Sequence, residues 1–175
     1  MRTLLVCVAL TSSLTFAQGT EAPAEEAAPK GVEATGPDAD AAKDLVSKYL
    51  TQVKAKKWAD AKKMVHPDTI KAIAERKKRL GKEDHPMSPQ AYEKNEFYLK
   101  DFKVKGVTKG PLGTFIVETA EDNFQVQEKA LVEGEMATYL VGKKDAKWWV
   151  VDKKRGESFT TDSVKLGYKG YFDKP

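Results

Sequence analysis

Two histidines, His66 and His85, are the only side chains in this 175-residue chain whose ordinary pKa places them in the range of a general acid or base at neutral pH. His66 lies in "MVHPDTI", directly before Pro67 and Asp68. A histidine-proline-aspartate corner also has a plainer use, in which the ring closes a turn between two helices and bonds Asp68 or faces water. That structural use is the reading adopted here. A structural zinc site needs three or four convergent ligands. Two histidines in separate loops and a single cysteine, Cys7, do not supply them, so neither a metal nor another cofactor is expected. A second group of candidates would line a pocket. Glu128 occupies an apolar-phase position between Val126 and Ala130, where a carboxylate would be desolvated and its pKa raised. Tyr49 and Tyr139 are conceivable hydrogen-bond donors to it. Asp152 alternates onto the face of Trp148 and Val150, but beside Lys153, Lys154 and Arg155 it reads as a solvated edge. A third group is basic: Lys77, Lys78 and Arg79 in "ERKKRLGK" make the best surface for an anionic partner. No aromatic residue interleaves with them, so base stacking is not indicated and nucleic acid is not the expected partner. There is no glycine-rich phosphate loop and no Gly-x-Ser-x-Gly elbow.

The ends bound where such residues act. "MRTLLVCVALTSSLTFAQGT" has a positive start, an apolar run from Leu4 to Leu10 and a small-x-Ala site at Thr15–Ala17. That is the layout of a secretory signal peptide, expected over residues 1–17. Its apolar run is too short to span a bilayer. Cys7 lies inside that run and not at its end, so no lipid anchor is expected. The chain is read as exported, to a periplasm or outside the cell. Residues 18–41, rich in Ala, Glu, Pro and Gly, form an acidic flexible linker by composition. The chain carries 30 basic and 26 acidic residues, a net charge of +4, and the basic excess lies beyond the linker.

Two periodicities then divide the rest. Ala42, Leu45, Val46, Tyr49, Leu50 and Val53 recur at helical spacing, with Asp38 or Asp40 as cap. Trp58, Ala61, Met64 and Val65 predict a second, short helix. His66-Pro67 breaks it, and Asp68 is placed to cap a third helix from Thr69 to about Leu80, ended by Gly81. Ser88-Pro89 can open a fourth helical piece. After Asp101 the pattern alternates, with "FKVKGV", "TFIVETA", "NFQVQEKALVE", "EMATYLV" and "KWWVVDK" read as strands. Turns are expected near Glu121-Asp122, Glu133-Gly134 and Gly142–Ala146. The fold class is therefore α+β: N-terminal helices on an antiparallel sheet of four to five strands, one domain over residues 42–155. Residues 156–175 carry Phe159, Val164, Leu166, Tyr168, Tyr171 and Phe172. They are expected to fold back as a lid over apolar strand residues, Tyr139, Val141, Trp149 and Val151 among them, which favours a monomer over a sheet-to-sheet homodimer.

The opening "AAKDLVSKYLTQVKAKKWADAKKMVHPDTI", followed by hairpins from Thr114 to Lys153, resembles the nuclear transport factor two-like superfamily over residues 41–153. The resemblance implies a first helix and short helices packed into a curved, cone-forming sheet. Some of that superfamily are pocket enzymes that isomerise, dehydrate or hydrolyse small apolar molecules by acid-base chemistry. Their catalytic arrangement does not map onto this chain residue by residue. The leading expectation is thus an exported, non-catalytic domain that binds a small apolar ligand or an anionic envelope component. A cone-pocket enzyme using Glu128, Tyr49, Tyr139 or His66 is one alternative, and a basic domain docking on an anionic envelope surface is the other.

Overall fold

A computed structural model describes residues 33–81, 85–88, 97–126 and 128–172. The signal peptide expected at 1–17, most of the linker and the helical piece opening at Pro89 lie outside these residues. The first helix, α1, spans Pro37–Lys54. It begins ahead of the boundary expected at Ala42, because Pro37 sits in the first turn, where a missing N–H costs nothing. Asp38 and Asp40 do not cap it. They fall in the first turn, where they suit the helix dipole, and Gly36 is the cap residue. Its buried stripe is Ala39, Ala42, Val46, Tyr49, Leu50 and Val53. Helices α2 (Trp58–Lys62) and α3 (Pro67–Leu80) follow.

Four antiparallel strands, β1 (Phe97–Lys109), β2 (Phe115–Gln125), β3 (Ala130–Lys144) and β4 (Lys147–Arg155), pair in sequence order into an open sheet. Helices in front and an antiparallel sheet behind make the α+β fold that the periodicities predict. The strand limits differ from expectation at three places. β1 begins at Phe97, ahead of Asp101, after which the strand pattern was expected. "NFQVQEKALVE" is not one strand: β2 ends at Gln125, Val126, Glu128 and Lys129 lie in a turn, and β3 starts at Ala130. Conversely, Glu121-Asp122 lies within β2 and Glu133-Gly134 within β3. The register there jumps from Glu121↔Glu135 to Asn123↔Val132, a bulge that Gly134 accommodates at φ 67°. The β3–β4 turn is where it was expected, with Asp145 and Ala146 both at positive φ, as a two-residue hairpin of matching twist requires.

Each sheet face has its own cover. Helix α1 and its neighbours lie on a face built from Leu99, Val107, Val117, Ala137, Tyr139, Val141 and Val150. The other face, Ile116, Leu140 and Val151, is covered by the C-terminal segment through Phe159, Val164, Tyr168, Tyr171 and Phe172. The segment contains helix α4 (Thr161–Gly167), closed by a Thr160–Ser163 capping box. So the lid exists, but it covers only part of the expected set: Tyr139 and Val141 belong to the helices. Leu166, expected to pack, is 84% exposed. The fit of the lid is close at Gly142, where an added Cβ would lie 2.0 Å from the Phe172 ring.

The division of faces turns on one irregularity in β4. Leu140 pairs with Asp152 but Val141 pairs with Val150, so Val151 is an extra residue, a bulge. Strict alternation would put Trp148, Val150 and Asp152 on one side. The bulge instead places Lys153 with Val150 on the helix side, and Asp152 with Val151 on the lid side.

If the lid is what keeps the second face from water, a chain ending at Arg155 must self-associate. Sedimentation is expected to give a monomer for the full chain and a dimer or aggregate for the truncated one. A substitution beneath the lid tests its fit: Gly142→Ala on β3 is expected to lower the midpoint of thermal unfolding, because the Phe172 ring has to move.

Candidate functional site

The helix-facing side of the sheet carries a polar cluster inside an apolar core. Val117, Thr119, Glu121 and Asn123 alternate along β2, and the last three are buried. Tyr139 lies on β3 and Lys153, brought round by the bulge, pairs with it across β4. The Lys153 Nζ donates to Glu121 Oε2 at 2.6 Å, and neither side chain is more than 1% exposed. The Tyr139 hydroxyl donates to Glu121 Oε1. Thr119 Oγ1 lies 3.4 Å from the same oxygen. Burial alone would raise the Glu121 carboxyl. The Lys153 ammonium, the bonds from Lys153 and Tyr139, and the Arg155 charge outweigh it and hold the carboxyl below its usual value. Beside it, Asn123 Nδ2 donates to Glu135 Oε2 at 2.8 Å. Asn123 Oδ1 is buried with no hydrogen-bond partner.

Tyr49 and Tyr139, both expected in a pocket, do meet: their rings pack edge to face at 6.0 Å. The acid between β2 and β3 is not the expected one. Glu128 is exposed in the hairpin turn, so it is neither desolvated nor a partner for these tyrosines. The buried carboxylate is Glu121, which the sequence reading assigned to a turn. Two signals were available for it. Thr119, Glu121 and Asn123 continue the alternation of Phe115 and Val117, and Lys153 is a basic residue within an apolar strand.

His66 answers the question of its role by its bonds. It is fully buried, and its Nδ1 accepts from the Asp68 backbone N–H at 3.2 Å, which makes it the N-cap of α3 in place of Asp68. Its Nε2 is 3.0 Å from the Tyr171 carbonyl oxygen and donates to it, since Nδ1 is the accepting nitrogen. The ring stacks on Tyr171 at 5.0 Å and meets Trp149 edge-on at 6.1 Å. Both nitrogens are thus committed, one to a helix start and one to the lid. The strand pairing beside it sets this position. His66 N donates to Val150 O and Val150 N to Met64 O, each at 2.9 Å, so the α2–α3 corner runs along the edge of β4. Burial, then the Lys144 ammonium, lower the His66 pKa against the opposing pull of Asp68.

Asp152 is not a solvated edge. Its Oδ2 accepts from the Tyr168 hydroxyl and its Oδ1 from the Lys153 N–H, with His85 Nε2 at 3.6 Å. Burial first, then the Asp152 charge, push the Tyr168 hydroxyl pKa up. Asp152 and His66 therefore fasten the lid at two points. Lys77, Lys78 and Arg79 lie exposed in the last turn of α3, where cations suit the dipole. Among the described residues, no group of three or more His, Cys, Asp or Glu side chains is placed to hold a metal ion. No described helix is long and apolar enough to cross a membrane.

The cluster does not have the makings of an acid-base pair. A general base near neutral pH needs a raised carboxylate pKa and a free lone pair facing substrate. Glu121 has a lowered pKa, and both its oxygens are occupied. A groove of about 320 Å³ opens between the three helices, lined by Tyr49, Trp58, Val65, Ile70, Ile73 and Met87, with Lys62 and Lys77 also in its lining. Tyr49 has one flank in this groove and the other against Tyr139.

Two substitution experiments follow. Lys153→Met strands a buried carboxylate and is expected to cost about 3–5 kcal/mol in urea denaturation, whereas Lys153→Met with Glu121→Gln recovers most of the loss. The pH dependence has two stages. The His66 pKa is lower folded than its ordinary 6.5, so the folded state loses stability as pH falls below about 6.5, where the unfolded chain binds the proton first. Glu121 is held below 4.5, so its contribution is present above that value and fades as pH falls through its folded pKa. His66→Asn, which keeps a capping side chain, is expected to remove the first stage and leave the second.

Comparison with known proteins found no family model, no curated protein and no solved structure that matches this chain.

Proposed function

We propose that this chain is an exported, non-catalytic binding domain whose groove between α1, α2 and α3 takes the apolar part of a small anionic amphiphile. The observation that carries this reading is the contrast between the groove and the charged cluster. The groove is open to solvent, apolar along most of its lining and within the size of small-ligand sites. The cluster beneath it is bonded internally and offers no reactive group to a substrate.

The anionic preference comes from Lys62 and Lys77, both exposed and both in the groove lining. A ligand whose tail lies on Trp58, Ile70 and Ile73 would bring its head towards them. Lys77 was expected in such a role, as part of a basic surface. Its position beside an apolar recess favours a discrete ligand over simple docking on a charged sheet. The likeness to the nuclear transport factor two-like superfamily belongs to this proposal, because that superfamily also packs helices against an antiparallel sheet to enclose ligands. Export rests on the pattern of residues 1–17 and is tested by N-terminal sequencing of the secreted protein, with Gln18 expected first.

The binding reading is tested with decanoate, read through tryptophan fluorescence because Trp58 lines the groove. Saturable binding is expected, weakened about tenfold by Ile73→Trp, which fills the recess, and by Lys62→Glu with Lys77→Glu. Equal binding of decyltrimethylammonium would remove the anionic preference, and no saturable binding of either would remove the proposal.

A further inference from the structure

We infer that a second recess, at the junction of α1 with β1 and β2, is a binding site for a phosphate ester that carries a ring or short apolar group. The recess has a volume of about 420 Å³ and is lined by Lys54, Lys56, Tyr98, Leu99, Lys100 and Phe124. It is separate from the helical groove and shares no lining residue with it.

Lys56 is the reason to single it out. Helix α1 ends in a Schellman motif: Lys56 N donates to Val53 O at 2.9 Å and Lys57 N to Gln52 O at 2.8 Å. The residue after the cap must then be left-handed, and Lys56 has φ 57°. Glycine is the usual choice, because a Cβ is strained there. Helix α3 uses it: Gly81 takes the corresponding turn at φ 68°. The other described non-glycine residues at positive φ, Leu112, Lys129, Asp145 and Ala146, all lie in connections between strands. Among the described non-glycine residues, Lys56 is the one that takes this conformation at an α-helix end, and its ammonium lies over the Tyr98 ring, 3.8 Å from the centroid. Strain held at one residue of a recess is a mark of use.

The chemistry around Lys56 selects an anion. Lys100 Nζ lies 5.3 Å from the Phe124 ring centroid. Lys54 is matched by Asp101 at 2.9 Å, which leaves Lys56 and Lys100 as the cations in excess. Among the described residues no carboxylate forms an ion pair with either. Both ammoniums are held by ring faces, an interaction that fixes a cation without neutralising it. Lysine is a point charge with rotatable donors, which suits a tetrahedral phosphate. No arginine lines the recess, so recognition there rests on lysine point charges and not on a fixed bidentate fork. Tyr98 and Phe124 then offer ring surface to the group esterified to that phosphate.

Phenyl phosphate titrated into the full chain, followed by backbone amide shifts, tests the site. Saturable shifts are expected at residues 54–57, 98–100 and 124, with affinity at least about fivefold above that of inorganic phosphate or of phenol alone. Lys56→Gly is expected to raise the midpoint of thermal unfolding by about 2–4 °C while weakening binding about tenfold. Lys56→Gln should weaken binding equally without the rise. Lys103→Gln, on the exposed part of β1, should change neither. Absence of saturable binding, shifts confined to other residues, unchanged affinity in Lys56→Gly, or equal weakening by Lys103→Gln would each overturn the inference. A free phosphate ester and a membrane headgroup are distinguished by phosphatidylglycerol vesicles. Retention on them that phenyl phosphate cannot compete away would overturn the soluble-ester assignment.

Discussion

The buried pairing of Glu121 with Lys153 constrains the rest of this structure. Two charges inside an apolar core are tolerable only when each is bonded, because an unpaired one carries the full cost of leaving water. The requirement fixes several elements at once. β2 must present Glu121 to the helix side, β3 must bring the Tyr139 hydroxyl to one carboxylate oxygen, and β4 must turn Lys153 inward to the other. Regular alternation would have turned Lys153 outward, so the bulge at Val151 is a condition of the pair. The same bulge sends Val151 and Asp152 to the opposite face, where Val151 seats the lid and Asp152 holds Tyr168. One inserted residue thus serves both faces of the sheet.

His66 joins the two layers at the same β4 edge. Its capping bond starts α3, its second nitrogen holds the Tyr171 carbonyl, and its ring fills the space between Trp149 and Tyr171. The helical layer and the C-terminal segment are therefore linked through one neutral imidazole. A protonated ring could not accept from Asp68 N–H, so this link is tied to pH in a way that the aliphatic core is not. Glu121, His66 and Tyr168, whose pKa values are displaced, are occupied in holding the fold together, and that is why they make poor candidates for catalysis.

The two recesses have a different origin. Both recesses border α1, one along its flank at Tyr49 and one at its end at Lys54 and Lys56. Each combines ring surface with lysine ammoniums. Long lysine side chains can cover apolar surface with their stems and keep the charge in water. A lysine-rich chain with a net charge of +4 can in this way present apolar ground without a bare hydrophobic patch.

Much of the fold was legible from the sequence, because burial of one face imposes a period. The α1 stripe from Ala42 to Val53, the α2 and α3 helices, the antiparallel strands, the Asp145-Ala146 hairpin and the need of the C-terminal aromatics for a surface all follow from where apolar side chains recur. The structural role of His66 was legible too, as a corner before Pro67, although not as the cap itself. What the period could not reveal was where it breaks. A bulge shifts the phase by one residue and leaves no composition signal, so Lys153 and Asp152 exchanged faces, and the alternation through Glu128 ran across a hairpin turn. Glu121 kept the phase of Phe115 and Val117, but an acid in a strand reads as solvent-facing or as a turn until its cation is seen. Its partner lies 32 residues away in the chain. Only the packing of β2, β3 and β4 brings those charges within reach, and only their mutual neutralisation makes the burial of either possible.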